Sequence, residues 1–463
     1  MRSSLVSVCV PVAGNARFLA EALRSALAEP VDDLEVLVHD DASTGDGVAA
    51  VVRAQDDRRV HYLRHRRRLG VAGNRNSLLA RARGRYIAWL DADDLYLAGG
   101  LARRLAALEA LPEAALVHAA PRIIDGRGRT LPNWRRPFER DTVEPPGVAF
   151  RELIQANELT TSTVVVRAAA QRAAGPFVAY GRSSSDWHMW LRLALRGDVA
   201  YLAEPVAAYR QHPGSISHAT TASGERLRCD MQVVRSVLRS YAALLPDRAQ
   251  LARAAHTALA AKALLAAGEA RTRGRRPTAT RAVVLAARLA RGLLAGGAPA
   301  LAAAALGAND HTFHARSRAA LRALLPDLGP SRFARSLERT VTTDPAWAAT
   351  LARIARVVRA KTPPDAVVGS VTKWDPTLLA LAGRRGRQVP DRRLLPDGYP
   401  ADGVFAIDHI EQLRRQGLSH LVFPNASFWW LEHYPQLVEL LRREHTEVHA
   451  DSDSVIFDLR STA

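Results

Sequence analysis

Three aspartates, Asp91, Asp93 and Asp94, stand at the end of the apolar run Tyr86-Ile87-Ala88-Trp89-Leu90. Carboxylates this close repel one another unless something positive lies between them. A hard divalent cation, Mn2+ or Mg2+, suits the position: it takes oxygen ligands from one or two carboxylates and fills the rest of its shell with water and substrate phosphates. A diphosphate held by such an ion leaves more readily, because the charge developing on its oxygen is neutralised. The competing reading is a helix N-cap, which Asp favours and which the following LAGGLARRLAALEAL would accept. A cap accounts for one aspartate of the three.

Other acids end a second strand-like run. Leu34 to His39, LEVLVH, stops at Asp40 and Asp41, and it is preceded by the apolar run Leu5 to Val12. Between the two, Phe18, Leu19, Ala22, Leu23, Ala26 and Leu27 recur at helical spacing and the pattern ends at Pro30. Strand, helix and strand make a βαβ unit, and ligands bind such sheets at the carboxyl ends of their strands. The acids after both acidic strands are thereby expected to face one crevice. Gly70-Val71-Ala72-Gly73-Asn74-Arg75-Asn76 opens another helix, whose first N–H groups are free to meet an anion, with Arg75 adding charge; a plain turn is the alternative. Further on, SSSDWHMWLR places Asp186 at the start of a helix with Trp187, Trp190, Leu191 and Ala194 on its apolar stripe. A carboxylate there serves as an N-cap, as a proton acceptor, or as both.

The first 220 residues resemble an inverting, family 2 type bacterial glycosyltransferase with the GT-A fold, a Rossmann-like mixed sheet that binds nucleotide-diphospho-sugars. The motifs that carry the resemblance are VSVCVPVAGN, HDDAST, GVAGNRN, YIAWLDADD, SDWHMWLRL and YRQHPGSIS, in the family's order. The resemblance implies that Pro11 and Asp41 lie against the nucleotide base with Asp40 beside them. It makes Asp91 and Asp93 the metal and ribose carboxylates, and Asp94 the further acid of that turn. Asp186 matches the base that takes the proton from the acceptor hydroxyl. Arg210 and His212 match a loop that closes over the diphosphate, where arginine binds phosphate oxygens and histidine reaches the metal. Two departures from the family pattern are Ala13-Gly14 after the first strand and Ser185 in place of a second acid before Asp186. The implied partners are a nucleotide-diphosphate sugar, UDP-linked by preference, and a glycan or lipid-linked acceptor. A non-catalytic scaffold that binds carbohydrate or nucleotide remains the alternative.

Around this site the chain is ordinary soluble protein: 463 residues, 48% hydrophobic and 24% charged. The net charge of +18 is almost all arginine, since only Lys262, Lys361 and Lys373 are lysines. The arginines are scattered without interleaved aromatics, which argues against a nucleic-acid platform and leaves peripheral attraction to an anionic inner membrane face. Two cysteines, Cys9 and Cys229, make no disulfide framework, and the first residues lack the pattern of a signal peptide, so a cytoplasmic location is expected. Gly292 to Asn309 carries Gly296, Gly297 and Pro299 and is too weakly apolar for a membrane span. His61/His65 and His311/His314 have ligand-like spacing without acidic company and read as surface residues.

The expected division is a GT-A domain over 1–220, a helical domain over 221–360, and a small α/β module over 361–463. Arg122 to Pro146, with Trp134, Arg135, Arg136 and Phe138, reads as an irregular basic stretch, either an acceptor-site flap or a mobile insertion. Thr160 to Val166 reads as a strand. In the last hundred residues, strands are expected over 366–371, 420–423 and 454–459 and helices over 407–415 and 429–441, with Trp429 and Trp430 in the core or on a sugar.

Overall fold

A computed structural model describes residues 6–14, 16–131, 137–272, 276–289, 317, 320–321, 323–341, 345–372, 384–390, 400 and 402–460. Trp134, Arg135, Arg136, His311, His314 and the apolar stretch 292–309 lie outside the described residues. The chain divides into two compact units, Met1–Lys262 with Pro326–Ala334, and Ala263–Leu325 with Arg335–Ala463.

In the first unit the β-branched run Val6–Val12 forms β1, and Leu34–Asp40 forms β2 beside it in parallel. Both are buried nearly end to end, as strands covered on both faces must be. Helix α1 (Leu19–Leu27) joins them and buries Leu19, Ala22, Leu23 and Ala26, one stripe at helical spacing. Strand β3 (Val60–Arg64) extends the sheet past β2, and β4 (Tyr86–Trp89) pairs in parallel with the other side of β1. Strand order therefore reverses between β1 and β4, which opens a crevice at their carboxyl ends. Gly84 lets β4 begin there, because a Cβ on it would lie 2.6 Å from the Ser7 backbone nitrogen.

The sheet continues through β10 (Val165–Arg167), antiparallel to β4 and to β6 (Ala114–Ala119), then β11 (Asp198–Leu202) parallel to β6, and β9 (Thr142–Glu144) at the edge. Among the described residues the order is β3-β2-β1-β4-β10-β6-β11-β9. A smaller sheet, β5-β12-β7-β8, joins Leu95–Tyr96, Ala207–Gln211, Arg122–Asp125 and Thr130–Leu131. Helices α2 (Gly47–Arg53), α3 (Gly70–Arg81), α4 (Gly100–Ala110), α5 (Pro146–Leu153), α6 (Ala168–Ala174) and α7 (Ser185–Leu193) complete this mixed α/β architecture, which is the GT-A type.

Two segments differ from expectation. The stretch 122–146 is not irregular throughout: β7 and β8 form a hairpin around Gly126-Arg127-Gly128, with Gly128 at φ +82° and its N–H donated to the Asp125 carbonyl. Strands of two to four residues are too short to show a period. Thr160 to Val166 is extended only at its end, because Thr161–Thr163 coils into a 3-10 turn before β10.

After β12 the chain is helical, with helices over Ile216–Ser223, Glu225–Ser240, Arg248–Thr272, Arg276–Leu289, Arg332–Val341 and Pro345–Lys361. No helix among the described residues is long and apolar enough to cross a membrane. The second unit contains a sheet of order β14-β13-β15-β17-β16, built from Arg385–Val389, Val367–Val371, His420–Pro424, Ser454–Asp458 and Thr446–Ala450. One face of it, with Leu421, Phe423 and Phe457, packs on Ala406, Ile410, Leu437 and Trp430; the other, with Val368, Val422 and Ile456, packs on Ile354 and Val358. That alternation is the period of two expected of a sheet covered on both sides. The helix expected over 429–441 is broken into Trp429–His433 and Pro435–Glu444, since Pro435 has no N–H to continue the first.

Candidate functional site

The carboxyl end of β4 runs into the turn Asp91–Asp94, and the elements around it hold each acid differently. Asp91 is half-exposed, and its backbone N–H donates to Ser162 Oγ at 3.0 Å. Burial pushes its carboxyl up, helped by the charges of Asp93 and Asp186 and opposed by Arg75. Arg75, buried on α3, donates from Nη2 to Asp91 Oδ1 at 3.3 Å and from Nη1 to Ser185 Oγ at 3.5 Å, while its Nε has no partner. Trp89 and Phe177 lie beside its guanidinium at 6.0 and 5.7 Å. The arginine thus sits between the acidic turn and the start of α7, not at the glycine-led start of its own helix.

Asp93 points the other way. Its Oδ2 lies 2.9 Å from His212 Nε2, and the His212 ring is steadied edge-on by Phe18 with centroids 5.1 Å apart. A carboxylate suits both Mn2+ and Mg2+, an imidazole nitrogen suits Mn2+ better than the harder Mg2+, and one or two protein ligands plus substrate phosphates are a common shell for such ions. Among the described residues no three His, Cys, Asp or Glu side chains form a metal cage on their own. The donor set therefore fits an ion shared with a phosphorylated substrate.

Asp94 and Arg210 are engaged by protein partners. Asp94 is buried, with Oδ2 accepting from the Ser162 hydroxyl at 2.6 Å and Oδ1 from the Arg210 N–H at 2.8 Å. Burial, reinforced by Asp93 and Asp91, raises its carboxyl well above the usual range. Both its oxygens thus take part in folding the turn. Arg210 has a side chain only 1% exposed. Its Nε donates to the Asp93 carbonyl and its Nη2 to Glu21, over the Phe18 ring at 4.3 Å. It braces the acidic turn from behind and does not reach out to a phosphate.

The acids after β2 are likewise held by protein. Asp40 accepts from the Ser43 N–H at 2.9 Å and the Tyr62 hydroxyl at 3.0 Å. Asp41 accepts from the backbone N–H groups of Leu69 and Gly70 at 2.6 and 3.0 Å. The anion met by the start of α3 is therefore the protein's own carboxylate. Pro11 is half-buried in β1 opposite His39, with Asn74 bridging the Val12 and His39 carbonyls behind it. Gly14, at φ +93°, gives its N–H to Ser43 Oγ at 2.8 Å and ties the β1 and β2 loops together. Pro11, Asp40 and Asp41 so lie at the carboxyl ends of β1 and β2, and Asp91 and Asp93, with His212, beyond that of β4.

Asp186 occupies the first turn of α7, half-buried, and accepts long hydrogen bonds from Asn157 Nδ2 and Thr161 Oγ1, each at 3.4 Å. Ser184 before it takes φ +67°, a strained value for a residue with a Cβ, and is anchored by a 2.7 Å bond from its hydroxyl to buried Asp230. Neither Asp186 nor its neighbours supply a side-chain cap to α7. Asn157, Thr161 and Ser162 were not singled out in the sequence; a Ser/Thr run at a strand end is the one signal that points to them.

The glycosyl transferase family 2 model matches residues 7–172. A curated relative from Rickettsia bellii, named an uncharacterized glycosyltransferase, is 26% identical over 210 residues, 45% of this chain and 29% of that protein. The Escherichia coli UDP-Glc:alpha-D-GlcNAc-diphosphoundecaprenol beta-1,3-glucosyltransferase WfaP is 25% identical over 221 residues, 46% of this chain and 80% of WfaP. The chain spans 29%, 34% and 16% of the length of three rickettsial relatives. Among solved structures, Staphylococcus aureus TarS covers 72% of this chain and 55% of its own at 16% identity and a TM-score of 0.44. The mannosyltransferase PcManGT from Pyrobaculum calidifontis, solved with GDP-Man and Mn2+, covers 70% of this chain and 87% of its own at 22% identity and a TM-score of 0.41. Neither overlay is close enough to carry residue roles. The N-terminal region is a glycosyl transferase family 2 domain.

Proposed function

We propose that the chain transfers a sugar, with inversion, from a nucleotide-diphosphate sugar to an acceptor hydroxyl. The observation that carries this reading is the convergence of Asp91, Asp93 with His212, and Asp186 on one sheet end within a family 2 domain. Asp93 and His212 would hold Mn2+ or Mg2+ together with the donor diphosphate, and Asp91, pinned by Arg75, stands in the same turn. Such an ion, when bound, would neutralise charge on the departing diphosphate. Asp186 takes the proton of the acceptor hydroxyl as its oxygen bonds to the anomeric carbon. The bond from that carbon to the diphosphate oxygen breaks with its electron pair, and the nucleoside diphosphate leaves from the opposite face. Pro11, Asp40 and Asp41 shape the base end of the donor site.

A UDP-sugar donor and a lipid-linked acceptor are favoured by the similarity to WfaP, whose name specifies both. A lipid-linked acceptor also gives the +18 net charge a use, as attraction to an anionic membrane face in cell-envelope glycan synthesis. The test is a panel of UDP-, GDP- and TDP-sugars with and without Mn2+, read by thermal shift and by release of nucleoside diphosphate. A UDP-sugar is expected to raise the melting temperature more with Mn2+ than without, and Asp93→Ala to remove the difference. No binding or turnover of any donor, with Asp93→Ala indistinguishable from native, overturns the reading.

A further inference from the structure

The segment 155–163 is a spine that runs beside Asp186 and the acidic turn. Asn157 and Thr161 touch Asp186, and Ser162 links the Asp91 N–H to Asp94. What holds this segment comes from far along the chain. Residues 326–334 return to the catalytic unit after the helical region. Ser331 donates its hydroxyl to Gln155 Oε1 at 2.8 Å, and Arg332 donates from Nε to Glu158 Oε2 at 2.7 Å. Both flanks of Asn157 are therefore pinned by two consecutive residues about 175 positions later in the chain.

Arg332 is built in for this purpose more firmly than a surface ion pair would be. Its side chain is 8% exposed and meets Glu144 from β9, Glu152 from α5 and Glu158. Its backbone N–H donates to Glu152 Oε2 at 2.7 Å, and Phe138 covers the guanidinium at 4.7 Å from the ring centroid. Ser331 caps the helix that Arg332 begins, accepting from the Ala334 N–H at 3.0 Å. The next residue, Phe333, shares Lys262 with Trp187, the neighbour of Asp186; the ammonium lies 4.8 Å from the Trp187 ring and 5.7 Å from that of Phe333. A buried cation with three carboxylates around it resists displacement, because removing one member leaves uncompensated charge.

We propose that Arg332, with Ser331, is a positioning residue for Asp186, acting through Gln155–Glu158 to hold Asn157 and Thr161 against its carboxylate. The helical extension thereby completes a site that the family 2 domain does not complete alone. This rests on Asp186 being the base.

The test uses the full chain and the donor panel above, with release of nucleoside diphosphate as the readout. Arg332→Met is the direct variant, but it leaves three carboxylates facing one another, so Glu158→Gln, which keeps the shape and removes the charge of the link to the spine, is made beside it. Glu158→Gln is expected to lower kcat about tenfold with the donor KM within about twofold, because donor and metal contacts lie on Asp93 and His212. Arg332→Lys is expected to keep more of the rate than Arg332→Met. Asn157→Ala is expected to lower kcat similarly, and the double variant with Glu158→Gln to be no slower than Asn157→Ala, since residues acting along one path are not additive. Glu158→Gln with native kcat, a rise in donor KM, or effects that multiply in the double variant overturn the proposal while leaving the transferase reading intact. Absence of turnover by the native chain with every donor overturns that reading instead, and this inference with it.

Discussion

The sheet that runs from β1 to β11 and the sheet that runs from β13 to β17 share a construction. In the first, strand order reverses between parallel β1 and β4; in the second, β13 is flanked by parallel β14 and β15 that follow it on opposite sides. Topology offers a crevice at the carboxyl ends of both. In the first it is lined by carboxylates, with Asp91 and Asp93 each about one-third exposed. In the second, among the described residues, the place is taken by the turn Asn425–Ser427. The Ser427 hydroxyl donates to the Val371 carbonyl at 2.6 Å, the Asn425 N–H to the Asp453 carbonyl, and Trp430 is buried below. A strand reversal is thus an opening for chemistry only where the sequence leaves charge there that the protein does not itself satisfy.

The sharpest way to break that contrast is Asp186→Asn. Loss of a general base is expected to lower the transfer rate by about 10²–10⁴-fold with nucleotide binding unchanged in a titration. Retention of the rate would return the carboxylate to a purely structural part in α7. On the other side of the comparison, Trp430→Ala removes a fully buried indole from the core of the C-terminal sheet. It is expected to destabilise that unit by about 3–5 kcal/mol, seen as a lowered transition in calorimetry, while donor KM stays native. A rise in donor KM would show that this sheet takes part in the site after all.

A smaller effect separates the units by pH. Burial, then the charge of Arg332, pushes His118 in β6 down to about 3 from 6.5. The unfolded chain therefore binds a proton between those values that the folded chain refuses. Stability from neutral His118 is complete above pH 6.5 and is lost as pH falls through the window, by about 1.4 kcal/mol per pH unit. His118→Gln is expected to flatten the fall of melting temperature between pH 7 and pH 5 for the catalytic unit. In the C-terminal sheet His420 is also lowered by burial, but Asp458 opposes the shift, and the variant should leave that unit's acid response as it was. An unchanged slope in the first unit would mean that His118 is protonated without penalty.

Much of the fold could be read from residues with a strong period. The runs 6–12 and 34–40, the stripe of α1 and the apolar approach to Asp91 are local patterns, set by side-chain alternation and helical spacing. Short elements escaped, as at β7, β8 and β9, because two to four residues carry no period. The edge strands β14 and β16 escaped for a different reason: RGRQV and TEVHA are mostly polar, and Val389 and Val448 are what they add to the sheet's packing.

For the site, the sequence by itself determined that acids cluster at strand ends and that the first part of the chain resembles family 2 enzymes, and it put Asp93, His212 and Asp186 forward for the proposed chemistry. Only the tertiary structure decided how those acids divide. Asp94, adjacent to Asp93 in sequence, turns inward to Ser162 and the Arg210 N–H, and Arg210 follows it, while Asp93 turns out to His212. Asp41 caps α3, and Arg332 reaches Glu158 from beyond the helical region. The physical reason is that a carboxylate's role is set by which donors surround it after folding. Those donors are brought together by chain crossings of tens to hundreds of residues, and no local spacing records them.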